Sequence, residues 1–361
     1  MNLEFKDLKL SMYDDAKAKE QTLTEYLNEV NGIDANSDID GFELMLKDAN
    51  IEVCGNGVAP NTNMDVFFAS EQGRVLLPEL TRRLFDKAME KNKYYENFVA
   101  NRVIANAPAV MASYVDFGDL SMKRVEELAE IPTIKFSRGD SAISLKKYGR
   151  AVEMSYEQLR YTNFDIFRTL IEAIVRATDN EKADEIVDIL INGDNGFKNA
   201  GNKAEVVNAK SLDSKVTAGN VSEIALLKFL TSEKNIGIYD RILVGEKSLE
   251  ALTNALYPMD AKGTSRILDK AFNSINLTMG LDKGNLTIQF CEGLDELIGD
   301  KDDKGIVAFK KDSAINEYVE KGSLINEMDR FIRNQSRVAT VTENVGFAKF
   351  TKNASKILLF K

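Results

Sequence analysis

Histidine is absent from the 361 residues. The commonest general base near neutral pH and the commonest metal ligand are therefore missing. Ser-His and Cys-His catalysis is excluded, which leaves chemistry built on carboxylates and lysines. Cys54 and Cys291 lie far apart and neither has a CxxC partner, so no zinc site or disulfide framework is expected. They read as small buried or half-buried thiols. Asp300, Asp302 and Asp303, with Lys301 and Lys304, form an acidic stretch without the terminal Glu of a calcium loop. It reads as a polar loop. No Gly-rich phosphate loop follows a strand, and no convergent acid pair stands out. The expectation is a chain with no catalytic site, no cofactor and no metal. The sharpest remaining cluster is basic: Lys135, Arg138, Lys146, Lys147 and Arg150. It is either a solvated face or a surface that pairs with a neighbour's acids. Exposed ion pairs contribute only about 0–1 kcal/mol each, but a repeated interface multiplies them.

These bases sit on or beside residues 119–150, which carry seven bases, five acids, Pro132 and the turn Ser137-Arg138-Gly139-Asp140. The stretch has few large apolar side chains and reads as a long β-hairpin with little core of its own. Such a ribbon is marginal alone. Before it, residues 63–100 read as helical, with Pro78 expected to kink or restart the helix, and residues 101–118 read as strand. After it, Ser144 to Ser155 is strand-like and Tyr156 to Leu159 makes a short helical turn. Asn163 caps a helix that runs to about Asn192, with Phe167, Leu170, Ile171, Ile174, Ala183, Ile186, Val187 and Leu190 at helical spacing. At about 1.5 Å per residue this helix is roughly 45 Å long. Gly193-Asp194 ends it.

Residues 194–220 read as an exposed polar loop. From there the pattern alternates: helix over 221–232, strand over 241–245, helices over 248–257 and 265–275, strands over 286–290 and 305–309. That is a compact α/β unit over about 220–328. Strand-rich residues 331–350 and 357–360 close the chain.

Net charge is −10, and residues 1–52 hold thirteen acids against five bases, net −8, so the remaining 309 residues carry only −2. The first 62 residues therefore read as an acidic arm, with a helix over 14–30 ended by Asn31-Gly32 and a short second helix near Phe42. The near-neutral body is no obvious nucleic-acid binder by charge. No apolar stretch reaches the length of a membrane span, and the first ten residues have no secretory h-region. A soluble, cytoplasmically made protein with no membrane partner is expected.

The segment Lys146-Lys147-Tyr148-Gly149-Arg150-Ala151-Val152-Glu153-Met154-Ser155-Tyr156-Glu157-Gln158-Leu159, followed by the long helix and its Gly193-Asp194 exit, resembles a step found in major capsid proteins of tailed bacteriophages. Their fold is shared with encapsulin compartments. The run Phe67-Phe68 through Arg74 to Leu77-Pro78-Glu79 is similar to an N-terminal signature of some of them. The resemblance covers roughly residues 63–361. It implies an α+β capsid fold divided into an arm (1–62), a first peripheral part (63–118), an extended hairpin loop (119–150), a peripheral domain with the spine helix (151–219), an axial domain (220–328) and returning peripheral strands (329–361).

The resemblance further implies a structural subunit of the virion. Its partners would be copies of itself in hexamers and pentamers and double-stranded DNA on the inner face, with scaffold, portal and decoration proteins as further candidates. Some members crosslink a hairpin Lys to an Asn near a Glu. Lys135, Lys146 or Lys147 with Asn334, Asn344 or Asn353 and Glu343 are the positions of that type here, and none is assigned a catalytic role. An encapsulin-like shell enclosing a cargo enzyme and a carboxylate/lysine α/β enzyme are the alternatives.

Overall fold

The computed structural model describes residues 4–19, 21–34, 39–51, 64, 66–92, 94–114, 137–194, 202–232, 237–256, 276–278, 285–298, 303–323, 325–331, 333–351 and 353–361. Along the chain the elements run α1 (Ser11–Ala18), α2 (Leu23–Asn31), α3 (Gly41–Asp48), α4 (Val66–Ala69), α5 (Glu71–Lys91), β1 (Val99–Ala105), β2 (Ala109–Tyr114), β3 (Ser137–Ser144), β4 (Lys146–Ser155), α6 (Tyr156–Tyr161) and α7 (Phe164–Asn192). They continue with β5 (Glu205–Asn208), α8 (Ala209–Leu212), α9 (Glu223–Leu230), β6 (Arg241–Val244), α10 (Glu246–Leu256), β7 (Asn276–Thr278), β8 (Asn285–Phe290), α11 (Leu294–Leu297), β9 (Gly305–Phe309), α12 (Lys311–Ala314), β10 (Ile315–Glu320), β11 (Ile325–Phe331), β12 (Ser336–Lys349) and β13 (Ser355–Leu359). The class is the mixed α+β one expected. Two compact units divide the chain: Met1–Lys93 with Lys147–Asn180 and Gly322–Glu343, and Tyr94–Lys146 with Glu181–Lys321 and Asn344–Lys361. Helix α7 and strand β12 each contribute residues to both.

In the first unit the acid-rich N-terminus is not a loose arm. Leu8, Leu23, Leu27, Phe42, Met45 and Leu46 are buried in one core with Val75, Leu76, Leu80, Phe164, Phe167 and Ile171. The expected helix over 14–30 is two helices, α1 and α2. The break falls at Thr22, whose hydroxyl accepts from Glu25 N while the Glu25 carboxylate takes Thr22 N. This capping box starts a helix afresh. Polar side chains then clamp α1, α2 and α3 to α5. Tyr13 Oη donates to Val75 O at 2.7 Å, and Thr24 bonds the buried Glu79 carboxylate. Arg83 reaches Thr24 at 2.9 Å and also pairs with Asp40. Burial and the nearby Glu79 push the Tyr13 phenol far above its ordinary value.

Helix α5 continues through Pro78 without the restart that was one of the two expected outcomes. Proline there forfeits one main-chain bond. Leu76, Leu77 and Leu80 around it are buried, and that packing offsets the loss. Strands β11 and β4 both pair with the first part of β12, β11 antiparallel from Ile325 opposite Thr342 to Phe331 opposite Ser336.

Among the described residues the second unit holds, besides the β2–β3 pair, strands of two larger sheets. In one, β1 runs parallel to β10, and β10 pairs antiparallel with the end of β12, Ile315 opposite Lys349. Phe98 and Tyr95 pack on Phe309 and Phe347. The other sheet has the order β5-β13-β9-β6-β8-β7 among the described residues. Its core combines Ile242, Val244, Ile306 and Leu358 with Leu226, Phe229 and Leu252 of α9 and α10. One expectation is corrected here: residues 194–220 are not all loop, because β5 and α8 lie within them. Strand β13 pairs with β9 and β5. The helix expected over 265–275 lies outside the described residues.

Leu27 is fully buried, so Leu27→Ala is expected to destabilise the first unit by about 2–5 kcal/mol. Equilibrium denaturation checks this; a solvated arm would give a change below about 0.5 kcal/mol.

Candidate inter-subunit surface

The hairpin is anchored by β2 and β3, which pair antiparallel from Ala109 opposite Ser144 to Tyr114 opposite Ser137. The connection 115–136, including Lys135, lies outside the described residues. At the base, Val110, Ile143 and Leu145 rest on Tyr318 and Ala348. Gly346 is needed there, since a Cβ on it would stand 2.8 Å from the Leu145 side chain. Among the flanking residues, Ala109, Ala142 and Ser144 stay exposed.

The basic candidates occupy different places. Arg138 lies in β3, opposite Ser113. Lys146 pairs with Glu185 of its own chain, Nζ to Oε1 at 2.7 Å. The Lys146 side chain is 65% exposed and Glu185 17%, so solvent screens the pair and its worth is at most about 1 kcal/mol. Lys147 and Arg150 are exposed on β4. Of the amide candidates, Asn344 donates to Glu320, Asn353 receives the Tyr239 hydroxyl on its main-chain oxygen at 3.0 Å, and Asn334 is exposed. Lys146 and Asn344 thus face different carboxylates.

The motif around the base has local physical reasons. Gly149 lets β4 approach β12, because a Cβ would meet Thr342 Cγ2 at 2.8 Å. Glu153 accepts from the buried Ser336 hydroxyl at 2.5 Å. Ser155 caps α6: its Oγ accepts from Gln158 N at 3.2 Å, and Gln158 Oε1 takes Ser155 N at 3.1 Å. Upstream, Ser70 caps α5 by accepting from Gly73 N at 3.0 Å. A Cβ on Gly73 would come within 2.8 Å of Phe67 O.

The Gly193-Asp194 exit forms a buried polar joint that the sequence did not reveal. Gly193 adopts φ +81°, and a Cβ there would collide with Asn202. The Asp194 carboxylate accepts from Asn202 Nδ2 at 2.8 Å and from Lys349 N at 2.7 Å. Lys349 has no exposed surface, and its Nζ donates to Asn202 O at 2.7 Å. Burial pushes its amine down to about 7, with Asp194 opposing the shift. The available signal was a lysine at the end of the apolar run Val345-Gly346-Phe347-Ala348.

In the α/β unit, the step from β6 through Gly245 to α10 has the form of an anion loop. The Asp295 carboxylate already fills it, accepting from Lys247 N at 2.9 Å, and a Cβ on Gly245 would fall 2.3 Å from it. Asp303 pairs with Lys361 at 2.6 Å, while Asp300 and Asp302 lie outside the described residues. Among the described residues no cluster of three or more Cys, Asp or Glu could hold a metal, and no helix is long and apolar enough to cross a membrane.

No protein-family model matches the chain, and no curated protein matches it. Among solved structures it is similar to the capsid of a native GTA particle at 17% identity, covering 74% of this chain and 90% of that one, with a TM-score of 0.48. It is also similar to the procapsid of satellite phage P4 (11% identity, 77% and 98% covered, TM-score 0.43). A third similarity is to a virus-like particle from Pyrococcus furiosus (9% identity, 78% and 98% covered, TM-score 0.43).

Two outcomes follow for the joint and the cap. Ser155→Ala is expected to cost about 0.5–2 kcal/mol of stability, read by chemical denaturation. Lys349 is neutral in the folded state above about pH 7 but protonated in the unfolded chain up to about 10.4. The unfolded state therefore binds more protons in that window, and stability rises with pH. The slope approaches about 1.4 kcal/mol per pH unit between pH 7 and about 8.5, beyond which the unfolded Cys291 thiol ionises and opposes it. Denaturation curves across that window should lose this slope in Lys349→Met.

Proposed function

We propose that this chain is the repeating subunit of a closed shell of the tailed-phage type, with copies of itself as partners and double-stranded DNA inside. One observation carries the reading. Among the described residues the β2–β3 ribbon is seated on its own chain by Val110 and Ile143, with Leu145 beside them, and a two-stranded ribbon with little buried face is marginal in water. A neighbouring copy supplies the missing support. The ordered set of a Gly149 close approach, a Ser155 cap, a 29-residue helix and a Gly193-Asp194 exit agrees with the motif order read from the sequence.

In this reading residues 119–150 are the extended loop, 151–219 belong to the peripheral domain, and 220–328 form the axial domain. Lys147 and Arg150 face a neighbour's acids. The chain is a component of the virion and turns over no substrate. The plugged helix N-terminus at Asp295 speaks against phosphate chemistry in the α/β unit.

The test is expression of the full chain, followed by size-exclusion chromatography and negative-stain microscopy. The expected result is rings or closed particles far larger than the 40.3 kDa monomer. A monomer at every concentration overturns the reading. Particles from phage-infected cells should contain nuclease-resistant double-stranded DNA; particles filled with a cargo protein instead would make the compartment alternative the correct one.

A further inference from the structure

Edge strands present unpaired N–H and C=O groups, and proteins normally blunt them with short length, charges or proline. Most edges in this chain follow that rule. Strand β7 has three residues and β5 four. Strand β4 carries Lys146, Lys147 and Arg150, and the β11 sequence holds Glu327, Asp329 and Arg330. Strand β1 does not. It has seven residues, Val99-Ala-Asn-Arg-Val-Ile-Ala105, with neither proline nor lysine. Among the described residues it pairs with β10 alone. Residues 101–104 are exposed, with Val103 at 39% and Ile104 at 68%. Its one charge, Arg102, is countered within the chain by the buried Glu317 carboxylate at 3.6 Å. The pairing with β10 is irregular between Val99 and Asn101 and regular from Asn101 to Ala105, so what is left is a regular edge over 101–105 that exposes Val103 and Ile104 and has its charge countered.

We propose that β1 pairs antiparallel with β1 of a second copy about a two-fold axis. The inference rests on reading the chain as a self-assembling subunit and names one of its contacts. Centring the pair on Val103 places Val103 opposite Val103 of the second copy and Arg102 opposite Ile104. No like charges face each other, and the apolar stem of Arg102 covers the opposing isoleucine. Shifting the centre to Arg102 would set two guanidinium groups against each other. The self-complementary arrangement is what an isologous contact requires.

Directly opposed residues in an antiparallel pair have Cα atoms about 4.5 or 5.5 Å apart, both within disulfide reach. The variant Val103→Cys, oxidised in air, should run as a covalent dimer on non-reducing electrophoresis, whereas wild-type chain should not. In assembled wild-type protein, amides of 101–104 should exchange at least about tenfold more slowly than in dissociated subunits. Ile104→Lys, at an exposed position, should leave the melting of the dissociated subunit unchanged and weaken assembly at least about tenfold. Particles with unprotected 101–104 amides and no Val103→Cys crosslink overturn this contact and leave the shell reading standing. A crosslinkable dimer that never grows further sustains the contact and overturns the shell. A chain that stays monomeric overturns both.

Discussion

The structure depends on how the long helix stops. Helix α7 ends in a left-handed Gly193, and the next residue turns its carboxylate onto Asn202 and the main chain of Lys349. That single carboxylate fixes the exit of the helix against the end of β12. It does so in a setting so dry that the Lys349 amine is held near neutrality at ordinary pH. A buried, bonded polar group of this kind specifies geometry more than it stabilises. One arrangement here satisfies Asp194, Asn202 and Lys349 together. The pairing of β12 with β10, and the seat of Val110, Ile143 and Leu145 on Tyr318 and Ala348, follow from where β12 ends.

What was legible in the sequence was what local chemistry decides. Helix α7 appeared with its bounds because its apolar spacing and its Gly stop are local. The Ser155 cap and the Gly149 step were visible as residues in a motif, and the structure supplies their reasons. The N-terminus was misread because its acid count was allowed to outweigh Leu8, Leu23, Leu27, Phe42 and Met45, which share a buried side. Charge on the outer face of a helix says nothing about the inner one. Pro78 does not end α5, because the cost of one lost hydrogen bond is local while the compensating burial of Leu76, Leu77 and Leu80 is not. Strand pairing between distant segments, β13 with β5 and β9, cannot be read from either strand alone.

The candidate surface was legible only in part. The bases were found, but not that Lys146 already has Glu185 beside it. Ion pairs across long sequence separations leave no periodic trace. The open edge of β1 was equally hidden, since whether a strand lies at an edge is a property of the sheet. Charges on the other edges have a plain role in this light: Lys146, Lys147 and Arg150 keep β4 from recruiting strands indiscriminately.

The clamp of Thr24, Asp40, Glu79 and Arg83 has a consequence for the life of the molecule. The N-terminal helices share one oily interior with α5 and α7, so removing them uncovers it. Their departure would leave Val75, Leu76, Phe164 and Phe167 facing water, along with a buried glutamate stripped of its threonine.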